Sequence, residues 1–160
     1  QGTNPRNPLN VLMVSSTGGT LRVFRGAAGL AADGSQDLVS SAYDGIPNLL
    51  KYAFNITGNH FADIATPSAA ILSENGTSGL PLIRSDAQNR LNLTFIRRKA
   101  SSNPGITYVP EISSNLTDWS PLTATPTVTS IDAFLERVNY VAPGDGGQVR
   151  QFGRIKVTVP

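Results

Sequence analysis

The chain has no cysteine. That single absence removes disulfide staples, zinc-thiolate centres, cysteine nucleophiles and redox motifs together. Histidine and tryptophan occur once each, as His60 and Trp119. A lone histidine in the stretch TGNHFAD is a poor basis for acid–base catalysis, and no serine lies in a G-x-S-x-G elbow. Charge is scarce as well: 15% of residues carry it and the net value is +2. Binders of nucleic acid concentrate Lys and Arg on one face with stacking aromatics between them. The only dense basic run here, Arg97-Arg98-Lys99, falls at a strand end and reads as a solvated turn, so no nucleic-acid partner is expected. No apolar run reaches the roughly 18 residues of a membrane span. The opening QGTNPRNPLN has no charged and apolar leader and reads as a cut fragment or mature start.

What is present suits one domain. A chain of 160 residues buries roughly 70% of its unfolded surface without metals or staples. Low charge with abundant Thr, Ser, Asn and Gly points to a secreted or cell-surface module. Residues 1–20 carry Pro, Asn, Gly and Thr around one apolar run, Val11 to Val14, and read as a linker or tethering strand. Residues 21–58 read as a helical segment. A short helix fits Leu21 to Ala28, and a clearer one fits IPNLLKYAFN. There Asp44 is placed to cap, Pro47 suits the first turn, and Ile46, Leu49, Leu50, Ala53 and Phe54 form one stripe. Asn55 and Gly58 end it.

From residue 59 to 160 the period becomes two. Leu91, Leu93 and Phe95 alternate with Asn92 and Thr94, and Ile155, Val157 and Val159 alternate with Arg154, Lys156 and Thr158. Phe134, Val138 and Tyr140 share one side of a third strand against Arg137 and Asn139. Ile106 and Tyr108 share a face of a fourth, which Pro110 marks as an edge or a bulge. Turn sequences separate the strands. The fold predicted is mainly β: an antiparallel β-sandwich, immunoglobulin- or jelly-roll-like, with one or two short N-terminal helices.

The phrases DGIPNLLKYAFN, LNLTFIRRKASSNPGITYVPEISSNLTDWSP and RQFGRIKVTVP, in this order, resemble the C-terminal accessory module of large secreted proteins from verrucomicrobial-type bacteria. In that family a thrombospondin-type-3- or dockerin-like calcium segment, D-P-D-G-D-G-I-x-N-L-x-E-Y-A, leads into a small β-sandwich. The resemblance covers roughly residues 21–160. It implies a non-catalytic part of a modular protein, carried by a polysaccharide-degrading enzyme or an adhesin.

Calcium loops place oxygen ligands at alternate positions with a glycine at the turn. In the family register Asp44 and Gly45 fit, but Ser40 and Ala42 replace the first two acids. In an EF-hand-like register Asp33, Ser35, Asp37, Ser41 and Asp44 take positions 1, 3, 5, 9 and 12, with Leu38 where glycine belongs. The loop therefore reads as vestigial and no cofactor is expected, with Ca2+ the one alternative. In the simpler reading Asp44 is a helix cap and Asp33 a turn residue.

Glycans are held by rings stacked on sugar faces and by amides, acids and guanidinium groups on the hydroxyls. The residues of those types are Trp119, Tyr108 and Tyr140, with Asn115, Asp118 and Arg137. Alternation favours the core for Tyr140, and Trp119 reads either as a core plug or as a loop ring. A glycosidase would need two carboxylates across a cleft; Glu111, Asp118, Asp132 and Glu136 lie in or beside short strands with no second layer to deepen a site. Polysaccharide binding is the function expected, and a spacer or attachment module without a ligand is the alternative.

Overall fold

The computed structural model describes residues 19–58, 60–144 and 150–160. Gly19 and Thr20 already belong to a helix, and the rest of the expected linker lies outside the described residues. The chain is mainly β, with two antiparallel sheets and a few short helices. Helices α1 (Gly19–Ala27) and α2 (Asn48–Ala53) precede seven strands. These are β1 (Leu82–Ser85), β2 (Leu91–Arg98), β3 (Thr107–Ser113), β4 (Ser120–Pro121), β5 (Thr127–Ser130), β6 (Leu135–Val141) and β7 (Phe152–Thr158). One sheet has the order β1-β2-β6-β5 and the other β4-β3-β7.

Alternation puts Leu91, Leu93 and Phe95 of β2 inward, all at most 5% exposed. Leu91 and Leu93 meet Ile112 of β3 and Ile155 of β7, while Phe95 joins Tyr108, Val157 and Val138. The two sheets come close at Gly153, where a Cβ would lie 3.1 Å from a Leu91 methyl. The outward face keeps Asn92 and Thr94 half-exposed, but Ile96 is fully buried. The break in period is tertiary: Leu72, from the segment between α2 and β1, covers Ile96 together with Leu135.

Three strand expectations need correction. Phe134 lies before β6 and is 56% exposed, and Val159 is also outward. Pro110 does not mark an edge: β3 is the middle strand of its sheet and Pro110 pairs with Ile155. The Pro110 carbonyl accepts from Leu122 N on the β4 side. A strand residue aims N and O the same way, so the missing N–H faces the two-residue strand β4 and costs no bond to β7. Among the described residues the other edge of β7 has no strand partner.

The helical segment packs on this frame. Leu21 and Phe24 of α1 and Leu49, Tyr52, Ala53 and Phe54 of and after α2 enter the same cluster as Phe95 and Val138. Asn55, with φ 55°, takes the left-handed conformation that ends α2. Pro47 sits at the cap position and no side chain caps the helix, so Asp44 is not the cap.

Candidate functional site

Asp44 has a different role. Its Oδ1 accepts from Ile46 N and Ser40 Oγ, and its Oδ2 accepts from Ser68 N. The same Oδ2 lies 2.8 Å from Lys51 Nζ, which also donates to Ile64 O and Thr66 O. Lys51 is completely buried. A fixed ammonium thus sits among three oxygens, and it holds the Asp44 carboxyl far below the usual carboxylate range, assisted by the other donors and opposed by burial.

The remaining metal candidates are divided between other partners. Arg25 grips Asp37 with two nitrogens, Nε to Oδ1 at 3.0 Å and Nη2 to Oδ2 at 2.5 Å. Asp33 closes a turn by accepting from Ser35 N, and Ser41 N bonds Asn48 Oδ1. The residues of the EF-hand-like register are not brought around one centre, and among the described residues no group of three acidic, histidine or cysteine side chains is arranged for a metal. The physical reason is that the two enclosed acids of this register, Asp37 and Asp44, each already face a cation carried by the chain.

The glycan candidates also separate. Tyr108 is a core residue: its ring lies 6.0 Å from Phe95 and 6.3 Å from Phe54, and its hydroxyl donates to Ala53 O and accepts from Arg98 N. Burial pushes that phenol upward in pKa. Tyr140 stacks on Phe95 at 6.3 Å, nearly parallel. Both rings are partly buried and packed against the apolar clusters.

Trp119 belongs to none of the three apolar clusters, so it is not a core plug. It is half-buried, its Nε1 donates to Leu116 O, and the Arg154 guanidinium covers the ring at 4.0 Å while bonding Glu111. Asn115 and Asp118 are spent on the loop itself. Asn115 Oδ1 accepts from Thr117 N and Asp118 N, and Asn115 Nδ2 donates to Asp118 Oδ2.

Arg137 lies on the other sheet. The register opposes Thr94 to both Leu82 and Asn139, and Asn92 to Arg84, so β1, β2 and β6 present these side chains on one outer face. They line an open cavity of about 390 Å³ with Arg137, Glu74 and Asp86. Arg84 pairs with Glu74, and Arg137 donates to Ser73 O and Gly76 O, which ties the 73–76 turn to the rim. Among the described residues the buried Asn139 Oδ1 has no hydrogen-bond partner. Two arginines and two acids leave the groove without net charge.

Alternation had placed Arg137 and Asn139 on the polar side of their strand. The flanking strand β1, which completes the groove, is four residues with one short apolar pair and gives almost no periodic signal. Comparison with known proteins found no matching family model, no matching curated protein and no matching solved structure.

Proposed function

We propose that this chain is a non-catalytic accessory module that binds a neutral polysaccharide along the outer groove of the larger sheet. On this reading it is an immunoglobulin- or jelly-roll-like β-sandwich of a secreted modular protein, attached to a glycoside-hydrolase-type enzyme, as the resemblance of its sequence phrases implies. The observation that carries the reading is the unpartnered Asn139 Oδ1 in a polar, charge-balanced groove beside Asn92, Thr94, Arg84 and Arg137. Hydroxyl-rich ligands supply donors and acceptors in alternation, which suits amides and paired ions, whereas an anionic ligand would gain nothing from two arginines offset by two acids.

The mode differs from ring stacking, because among the described residues no aromatic side chain lines the groove. About four net hydrogen bonds at about 1 kcal/mol each correspond to a Kd of about 1 mM, so binding is weak and favours polymers. Affinity electrophoresis in β-glucan, xylan, mannan and pectin gels tests it. Retardation in a neutral gel, lost in Asn139→Ala with an unchanged urea midpoint, is the expected result; free migration in every gel would overturn it.

The spacer reading has its own support. Tyr108 Oη donates to Ala53 O and Arg98 Nε to Tyr52 O, and Tyr52 Oη donates to Pro104 O, so the helical segment is bolted to one strand of each sheet and to the loop between β2 and β3. Such a joint suits a part that holds a neighbour in position, and free migration in all four gels would favour it.

A further inference from the structure

Arg98 belongs to the basic run that reads as a solvated turn, yet it is 7% exposed. Among the described residues it makes no ion pair, and only Nε has a hydrogen-bond acceptor, Tyr52 O at 3.0 Å. Nη2 is buried with no partner. The guanidinium lies 4.0 Å from the Tyr52 ring centre, a cation–π contact that supplies no hydrogen-bond acceptor. Asp132 is the acid whose charge reaches this guanidinium, but not as a contact ion pair, and a buried cation so incompletely paired is costly.

The same side chain lines a cavity of about 340 Å³ with Val23 of α1, Phe61 of the turn after α2, and Asp132, Phe134 and Leu135 before and at the start of β6. The walls are apolar, and two of them are large side chains directed outward, Val23 at 63% and Phe134 at 56% exposure. Asp132 is the acid of this lining. Its Oδ1 accepts from Phe134 N at 2.7 Å and Leu135 N at 2.8 Å.

We infer that this cavity, separate from the polar groove, binds an apolar residue through its free α-carboxylate, which pairs with Arg98. With Nε held by Tyr52 O and Nη2 enclosed, one guanidinium N–H remains for a charge-assisted bond to a carboxylate oxygen, and an apolar side chain matches Val23, Phe61 and Phe134. Asp132 selects against a dianion such as a phosphate monoester, and offers an acceptor to the nitrogen adjoining the ligand carboxylate. Two sources carry this chemistry: a free amino acid and the C-terminal residue of a polypeptide.

The test is an NMR titration of the 15N-labelled 160-residue chain with three probes. N-acetyl-L-phenylalanine represents a chain end, L-phenylalanine a free amino acid, and N-acetyl-L-phenylalaninamide lacks the carboxylate. Saturable shifts at Val23, Ala133 and Phe134 are expected with one or both acids, and binding of the amide weaker by about tenfold or more. The tighter acid identifies the source. Arg98→Met should abolish binding. Because that change strips a buried contact from Tyr52, Val23→Asp serves as the second variant: it adds a repelling carboxylate at an exposed rim and should weaken binding about tenfold with an unchanged urea midpoint. Equal binding of acid and amide, no saturable shift up to about 10 mM, or unaltered affinity in Val23→Asp would overturn the inference.

Discussion

Lys51 Nζ and Asp44 Oδ2 lie 2.8 Å apart, with side-chain exposures of 0% and 6%. Three of the four charged groups in and around the helical segment that are most deeply enclosed, Asp37, Asp44 and Lys51, are therefore committed to ion pairs, whereas Arg98 is not. Replacing Lys51 by Met leaves Asp44 enclosed without its cation and should cost about 3–5 kcal/mol. The double variant Asp44→Asn/Lys51→Met should recover part of that loss. Urea unfolding of the single and double variants checks both.

Acid should reveal the same pair. Lys51, then the Ile46, Ser68 and Ser40 donors, depress the Asp44 carboxyl in the folded state. A depressed carboxyl contributes stability that is fully present above its ordinary value of 3.8 and is lost as pH falls below it toward the folded value. The urea midpoint should drop through this range in the natural chain, and less steeply in Asp44→Asn.

Calcium should leave the melting temperature unchanged, because Arg25 and Lys51 already neutralise Asp37 and Asp44. A ligand present at 100 times its Kd adds about 2.7 kcal/mol, a shift readily seen by calorimetry. An unchanged Tm in millimolar calcium and in chelator is the expected outcome.

Phe54 is 2% exposed among Leu49, Phe95 and Tyr108. Phe54→Ala should therefore cost about 3–5 kcal/mol, and Tyr108→Phe about 1–2 kcal/mol through its two hydrogen bonds. Far- and near-ultraviolet dichroism should report one coincident transition in each variant, since the helices and sheets share one cluster.

Trp119→Ala should cost less than about 1 kcal/mol, because a half-buried ring outside the apolar clusters loses a cation–π contact and little buried area. Tryptophan fluorescence should rise in quenchability when Arg154 is replaced by Ala.

Periodicity made the frame legible where one face meets water: Leu91, Leu93 and Phe95 show it, as do Ile155 and Val157. It failed where a remote segment supplied the environment. Ile96 breaks alternation because Leu72 lies over it. Lys51 and Arg98 look like surface charges because their acceptors, Ile64 O, Thr66 O and Tyr52 O, come from elsewhere in the chain. The same limit scattered the expected sugar site, for Tyr108 reads as a strand tyrosine until Ala53 O and Arg98 N are placed against its hydroxyl.

Strand β7 leaves one backbone edge without a strand partner among the described residues. An antiparallel meeting of two such edges centred on Ile155 would set Arg154 of each copy opposite Lys156 of the other. Like charges directly opposed across a strand pair repel. In that one register the free edge resists pairing with its own copy, with Glu111 offsetting part of the Arg154 charge.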